Sequence, residues 1–169
     1  QDGLSEKDEF ELIAETTERI TEEEGRPPEG WLGPWISETM KTPDILQENG
    51  YKYLLDWCHD DQPTWMKTYG GEILSVPYPQ ELNDIPSIMV RKNSAEQFAK
   101  IITDNFDEML EQSRQQPLVM GIALHAYIVG QPFRLKHLRN ALLHISNKRE
   151  DIWFATAGQI AAHARTVNI

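Results

Sequence analysis

Hydrophobic positions recur at two different periods along this chain, and the alternation between them predicts its elements. From Ser5 to about Glu23, Phe10, Ile13, Ala14, Thr17 and Ile20 fall at three- and four-residue steps. That spacing puts them on one face of a helix. Ser5 is placed to cap its start, with Asp8 three residues on, and Gly25 to stop it. Arg26-Pro27-Pro28 then forces extended backbone into a short strand or loop through Gly30, Trp31 and Leu32. Thr42-Pro43-Asp44 opens a short helix that Gly50 ends. Tyr51 to Trp57, rich in aromatics, predicts a strand. A polar loop follows from His59 to Pro63, and Trp65 to Val76 predicts a hairpin around Gly70-Gly71.

Pro77 to Pro86 holds three prolines and predicts a long irregular loop. Ser94, with Gln97 in capping-box position, opens a long helix whose buried side carries Phe98, Ile101, Ile102, Met109 and Leu110, with Asn105 its weak member. Pro117 to Leu124 is an almost unbroken apolar run, the pattern of a parallel strand buried on both faces. Arg134 to Ser146 predicts a helix, Ile152 to Ala155 a strand and Gly158 to Val167 a last helix. Strands alternating with helices predict an α/β fold with a mostly parallel sheet and a β-hairpin insertion. No repeat, low-complexity linker or composition shift marks a boundary, so residues 1–169 read as a single domain.

Composition narrows the partners. The 16 Lys+Arg against 27 Asp+Glu leave a net charge of −11. So acidic a surface disfavours nucleic acid and anionic lipid. Much of the acidity lies between Asp2 and Glu24, on the first predicted helix, and so describes solubility more than function. The single cysteine, Cys58, excludes an internal disulfide and a cysteine-based zinc site. There is neither a membrane-length apolar run nor a recognisable signal peptide, and a cytoplasmic location is expected. The chain opens with Gln1, which suits a fragment or a processed chain.

In parallel α/β folds, chemistry gathers at the carboxyl ends of the strands. The strand ending near Leu55 is followed by Asp56, Trp57, His59, Asp60 and Asp61; the run ending at Leu124 by His125; Ser37 and Glu38 lie beyond the strand through Trp31, and Arg26 stands at its start. Parallel neighbours would bring these groups to one rim. Carboxylates there can orient water, and a histidine can protonate a leaving amine. Plainer roles compete: Asp60-Asp61 suit a turn, Arg26 a surface charge, the tryptophans packing, and His125 a structural hydrogen bond. His137, His144 and His163 lie on predicted helices and suit packing or surface roles. Cys58 lacks a suitably placed base, because the adjacent His59 would point to the opposite face of a continued strand. No phosphate-binding glycine loop, Gly-x-Ser-x-Gly elbow or metal-spaced histidine pair occurs.

Four separated stretches carry a resemblance. They are Arg26-Pro27-Pro28-Glu29-Gly30-Trp31-Leu32-Gly33-Pro34, Asp56-Trp57-Cys58-His59-Asp60-Asp61-Gln62-Pro63, Pro77-Tyr78 with Glu81-Leu82-Asn83-Asp84-Ile85-Pro86, and Leu124 to Arg134. Together they resemble the polysaccharide deacetylase (NodB-homology) superfamily, in particular its branch of allantoinase-like ureide hydrolases and a peptidoglycan-deacetylase-like relative. The resemblance implies part of a deformed (β/α) barrel. An intact barrel takes ~250 residues, so the expected portion is the carboxyl-terminal one, without the amino-terminal strands.

The resemblance further implies a hydrolase of non-peptide carbon–nitrogen bonds acting on a small molecule, a cyclic ureide or an N-acetyl sugar. His125 would be the general acid, with Asp56, Asp60 and Asp61 shaping and polarising the site. Arg26, Trp31, Trp57, Glu81 and Asn83 would contact substrate. The superfamily's metal-binding Asp and His-x-x-x-His do not occur here, so no metal ligand is expected within this chain. A divalent metal such as zinc is implied only where an amino-terminal portion supplies those ligands. The alternative is a non-catalytic barrel fragment, forming a homo-oligomer or pairing with the missing strands to cover an open sheet edge.

Overall fold

The computed structural model describes residues 1 and 3–167, so Asp2, where the acidic run begins, lies outside the described residues. By backbone packing the chain divides into two compact units, one of Gln1–Pro77 with Ala155–Ile169, the other of Tyr78–Phe154.

The first unit is built on an open four-stranded sheet: β1 (Gly30–Trp31), β2 (Tyr53–Leu54), β3 (Thr64–Thr68) and β4 (Gly71–Ser75), in the order β1-β2-β4-β3. β1 pairs with β2 and β2 with β4 in parallel, and β3 and β4 form the antiparallel hairpin. The hairpin is therefore no appendage, because β4 is a central strand and β3 the edge. Gly30 faces Tyr53 in register, and a Cβ on Gly30 would sit 2.1 Å from the tyrosine ring. Only glycine allows that approach.

Around this sheet lie α1 (Glu6–Glu24), α2 (Thr42–Glu48) and, last in the chain, α6 (Ala157–Val167). Ser5 caps α1 by accepting from the Asp8 N–H at 3.2 Å, and Gly25 closes it in the left-handed region at φ 72°. One cluster joins Ile13, Trp31, Ile45, Leu46, Tyr51, Leu54 and Ile73; another joins Leu74 and Val76 to Ala161 and Ala164. Glu9, on α1, is fully buried, and its carboxylate accepts from the hydroxyls of Thr39 and Thr42, so the charge stays satisfied where the helices meet.

The second unit is helical. A π-helical turn, Ile85–Val90, precedes α3 (Ala95–Gln112), α4 (Ala126–Val129) and α5 (Pro132–Ser146). The Ser94–Gln97 capping box forms at the start of α3. Phe98, Ile102 and Phe106 of α3 share a core with Leu138, Ala141 and Ile145 of α5.

Two expected strands differ. The run 117–124 is half-buried and forms no ladder; its one sheet-like contact among the described residues is a parallel bridge from Ala123 to Asn83. The segment 152–155 likewise pairs with no strand, and Trp153 and Phe154 are exposed. An apolar run becomes a strand only where a neighbour pairs with it in a ladder, and among the described residues neither run has such a neighbour. The predicted strand 51–57 shortens to Tyr53–Leu54, flanked by hydrogen bonds from the Lys52 and Leu55 N–H groups to the Glu29 and Trp31 carbonyls.

Candidate active site

Each unit carries one cluster of polar groups under constraint. In the first, the chain leaves β1 and β2 side by side in the same direction, with the Leu55 N–H donating to the Trp31 carbonyl at 3.0 Å. Gly33 and Asp56 follow those strand ends. The Gly33 N–H donates to Asp56 Oδ1 at 2.7 Å, and Asp56 is only 7% exposed. A Cβ on Gly33 would lie 2.7 Å from the Ser37 carbonyl oxygen, so the turn 33–38 closes only around a glycine.

That turn delivers Glu38. The Trp57 indole N–H donates to Glu38 Oε2 at 2.7 Å. Glu38 Oε1 and Asp56 Oδ2 are sealed from solvent, and among the described residues neither has a hydrogen-bond partner. One proton held between the two neighbouring carboxyls would satisfy both atoms. Burial, then the adjacent Asp56, push the Glu38 carboxyl up to about 8. Burial also raises Asp56, opposed by its bonds from the Gly33 N–H and Glu38.

The other residues of this stretch have plainer settings. Asp60 Oδ1 accepts from the N–H groups of Asp61 and Gln62, at 2.7 and 3.2 Å, as in an Asx turn, and both aspartates are exposed. Trp31 is core, edge-on to Tyr51 at 5.5 Å. Arg26 is exposed at the Pro-Pro bend. Trp57 is partly exposed beside His59, with ring centroids 6.3 Å apart.

In the second unit the geometry centres on Asp84, which is 0% exposed. Its Oδ2 accepts from the His125 backbone N–H at 2.7 Å, and its Oδ1 faces His125 Nδ1 at 2.6 Å. The local chain explains why. The Asp84 N–H donates to the Ala123 carbonyl at 3.2 Å and the Ala123 N–H to the Leu82 carbonyl at 2.9 Å, which brings the two segments alongside. Asn83 Oδ1 accepts from the Ile85 N–H at 3.1 Å and turns the chain into the π-helical turn. With Nδ1–H committed to Asp84, Nε2 is the nitrogen left for outside chemistry. The His125 side chain is 33% exposed, and the Tyr127 ring stands edge-on to it at 5.7 Å. Glu81 is exposed.

Of the residues singled out in the sequence, the structure places Arg26, Trp31, Asp56, Trp57, Asp60 and Asp61 in the first unit, and Glu81, Asn83 and His125 in the second. Sequence reasoning overlooked Asp84 as a site residue and named Glu38 only among the rim groups beyond the strand through Trp31. Asp84 was masked by the prolines around it, which read only as a loop. Glu38 lies seven residues past the end of β1 and meets Asp56 only through the turn. Among the described residues, no three His, Cys, Asp or Glu gather as metal ligands. No helix among them is long and apolar enough to cross a membrane.

No family model matches the chain. It is similar to a peptidoglycan deacetylase of Helicobacter pylori (strain ATCC 700392 / 26695), with 22% identity over 191 residues that cover 94% of this chain and 64% of that protein. Among solved structures, Puue allantoinase superposes with a TM-score of 0.88 and 26% identity, over 98% of this chain and 55% of that one. A protein described as a probable polysaccharide deacetylase from Pseudomonas aeruginosa PAO1 gives 0.86 and 28%, with the same coverages of 98% and 55%. The chain therefore spans little more than half of each solved relative, and its resemblance to the polysaccharide deacetylases and the allantoinase-like branch extends over nearly all of its own length.

Proposed function

We propose that this chain is part of a hydrolase of non-peptide carbon–nitrogen bonds, of the type shared by deacetylases and allantoinases, with His125 as its general acid. The observation that carries the reading is the Asp84–His125 pair. A fully buried carboxylate grips both the backbone and Nδ1 of one histidine, at 2.7 and 2.6 Å, and leaves Nε2 outward. That holds the ring in one tautomer and one orientation, as proton delivery requires.

In the reaction, water adds to the substrate carbonyl, gives up a proton to solvent and leaves a tetrahedral intermediate. As the carbon–nitrogen bond breaks, the proton on Nε2 passes to the departing nitrogen, which leaves as a neutral amine, and Nε2 takes a new proton from solvent, while Asp84 keeps the ring in place. The substrate is an N-acetyl sugar or a cyclic ureide, the classes named by the relatives. The residues present gather no metal ligand set, and no step is assigned to a metal.

The test is turnover of N-acetylglucosamine oligomers, read as acetate release, and of allantoin, read as ring opening. His125→Ala should lower kcat by at least ~10² with the fold intact. Near-normal turnover removes His125 from the mechanism, and no hydrolysis of either compound by the unaltered protein sinks the reading.

A second reading has its own observation. The extended apolar run 117–124 has a single bridge, and Trp153 and Phe154 are exposed. Such backbone accepts a strand from another chain or a second copy. Sedimentation that shows only monomer at high concentration argues against pairing between copies.

A further inference from the structure

The turn 33–38 closes on two groups that repel each other when both are ionised. Glu38 Oε1 and Asp56 Oδ2 are sealed from solvent without a hydrogen-bond partner among the described residues, and Asp56 is only 7% exposed. A buried anion normally meets a cation or several donors. Here no lysine or arginine among the described residues forms an ion pair with either carboxyl. The donors that reach the pair are spent on its other two oxygens: the Gly33 N–H on Asp56 Oδ1 and the Trp57 indole N–H on Glu38 Oε2, both at 2.7 Å. The remaining titratable neighbours supply no counter-charge. Glu9, buried on α1, is a third carboxylate and opposes further negative charge on Glu38. His59 stands edge-on to Trp57, and the Gln1 amino group donates to Ser37 Oγ at 3.0 Å. A bridging water needs a cavity of its own, whereas a proton between two carboxyls needs no room. Burial, then Asp56, push the Glu38 carboxyl up to about 8, and burial raises Asp56 as well.

The same turn is strained. Trp35 and Ile36 lie in the left-handed region, at φ 59° and 50°. Neither is glycine or asparagine, and Ile36 is β-branched, so the backbone relaxes elsewhere if the ends of the turn let go. Its ends are fastened through the carboxyl pair, Gly33 to Asp56 at one and Glu38 to Trp57 at the other. Between them the Ile36 N–H donates to the Gly33 carbonyl at 2.9 Å and the Ser37 N–H to the Pro34 carbonyl at 3.1 Å. A strained segment tied down in this way is released by whatever ionises the pair.

We propose that Glu38 and Asp56 form a proton-operated latch on the turn 33–38. With one proton between them they hold the turn shut beyond the ends of β1 and β2. With both carboxyls charged, repulsion drives Glu38 into water, frees the Trp57 indole N–H and lets Trp35 and Ile36 relax. The closed form binds a proton that the open form lacks between 4.5 and about 8, so closure is favoured at the low end and is lost as pH rises toward about 8. The latch goes beyond the hydrolase reading and does not rest on it.

The test is nuclear magnetic resonance of the 169-residue chain, read at the Trp57 indole N–H and assigned by the loss of that signal in Trp57→Phe. In the parent the signal should move in one step with a midpoint above 4.5 and no higher than about 8. Glu38→Gln, which cannot ionise, should hold it still, and Asp56→Asn should draw the step down toward 4.5. Trp35→Asn eases a left-handed position and should move the step to higher pH, whereas ionisation without movement of the chain would leave it unchanged. His59→Gln should preserve the step. A parent step at or below 4.5 overturns the latch. So does a step that survives Glu38→Gln, stays in place in Asp56→Asn or Trp35→Asn, or vanishes with His59→Gln.

Discussion

The two units hold their chemical groups by different means. In the first, Asp56 and Glu38 stand beyond the ends of paired parallel strands, and the backbone ladder positions them before any side chain acts. In the second, no ladder runs through 117–124, and the buried Asp84 carboxylate itself supplies what a neighbouring strand would, accepting the His125 N–H and its imidazole at once. A sheet spreads the task of placing a residue over many backbone bonds, whereas a carboxylate concentrates it in one side chain. The second arrangement should therefore be the more fragile to point substitution.

Breaking that contrast should have its largest effect at Asp84. Asp84→Ala strands the His125 N–H and Nδ1 and removes two charge-assisted bonds, so Tyr78–Phe154 should lose on the order of 3–5 kcal/mol. Urea denaturation read from tertiary signals checks this, and a loss under about 1 kcal/mol would refute a carboxylate that replaces a ladder. Asp84→Asn keeps an acceptor and should retain the fold yet lose turnover, through the wrong tautomer. In the first unit, Leu54→Ala in the sheet core should cost about 2–5 kcal/mol by leaving a cavity.

Hydrogen exchange sharpens the comparison. The amides of Leu55, Leu74 and Val76, bonded to the carbonyls of Trp31, Lys52 and Leu54, should exchange slowly, and those of 118–122 fast. Comparable protection in both stretches would dissolve the distinction.

Acidity probes the carboxyl pair. Glu38 titrates near 4.5 when unfolded and is pushed up to about 8 when folded, so the folded state binds the extra proton between those values. Its contribution is complete below about 4.5 and is lost as pH rises through about 8. The thermal midpoint of the parent should fall over that window, and Glu38→Gln should flatten the fall; an unchanged slope would show that the pair shares no proton. The smallest effect belongs to His144 and Asp107, 2.7 Å apart on exposed faces of α5 and α3: His144→Gln should cost less than about 1 kcal/mol.

Local signals were legible without coordinates. Ser5, Gly25 and Ser94 with Gln97 cap their helices as read, Phe98 and Ile102 face a core, and the hairpin forms. Of the site, His125 and Asp56 could be singled out because polar residues after apolar runs are conspicuous. Asp84 could not, and Glu38 was named only as one of several groups past a strand end, because a carboxylate in a proline-rich loop or after a turn looks like any surface acid until a partner 41 or 19 residues away closes on it.

Periodicity, capping and the order of elements were thus determined by the chain alone, since they depend on neighbours within a few residues. Tertiary structure decided which apolar runs became strands, which carboxylates were buried, and that Trp35 would sit in a backbone state its own side chain disfavours. Each of these depends on whether distant hydrogen-bonding groups and buried surfaces come together, and spacing along the sequence carries no record of that.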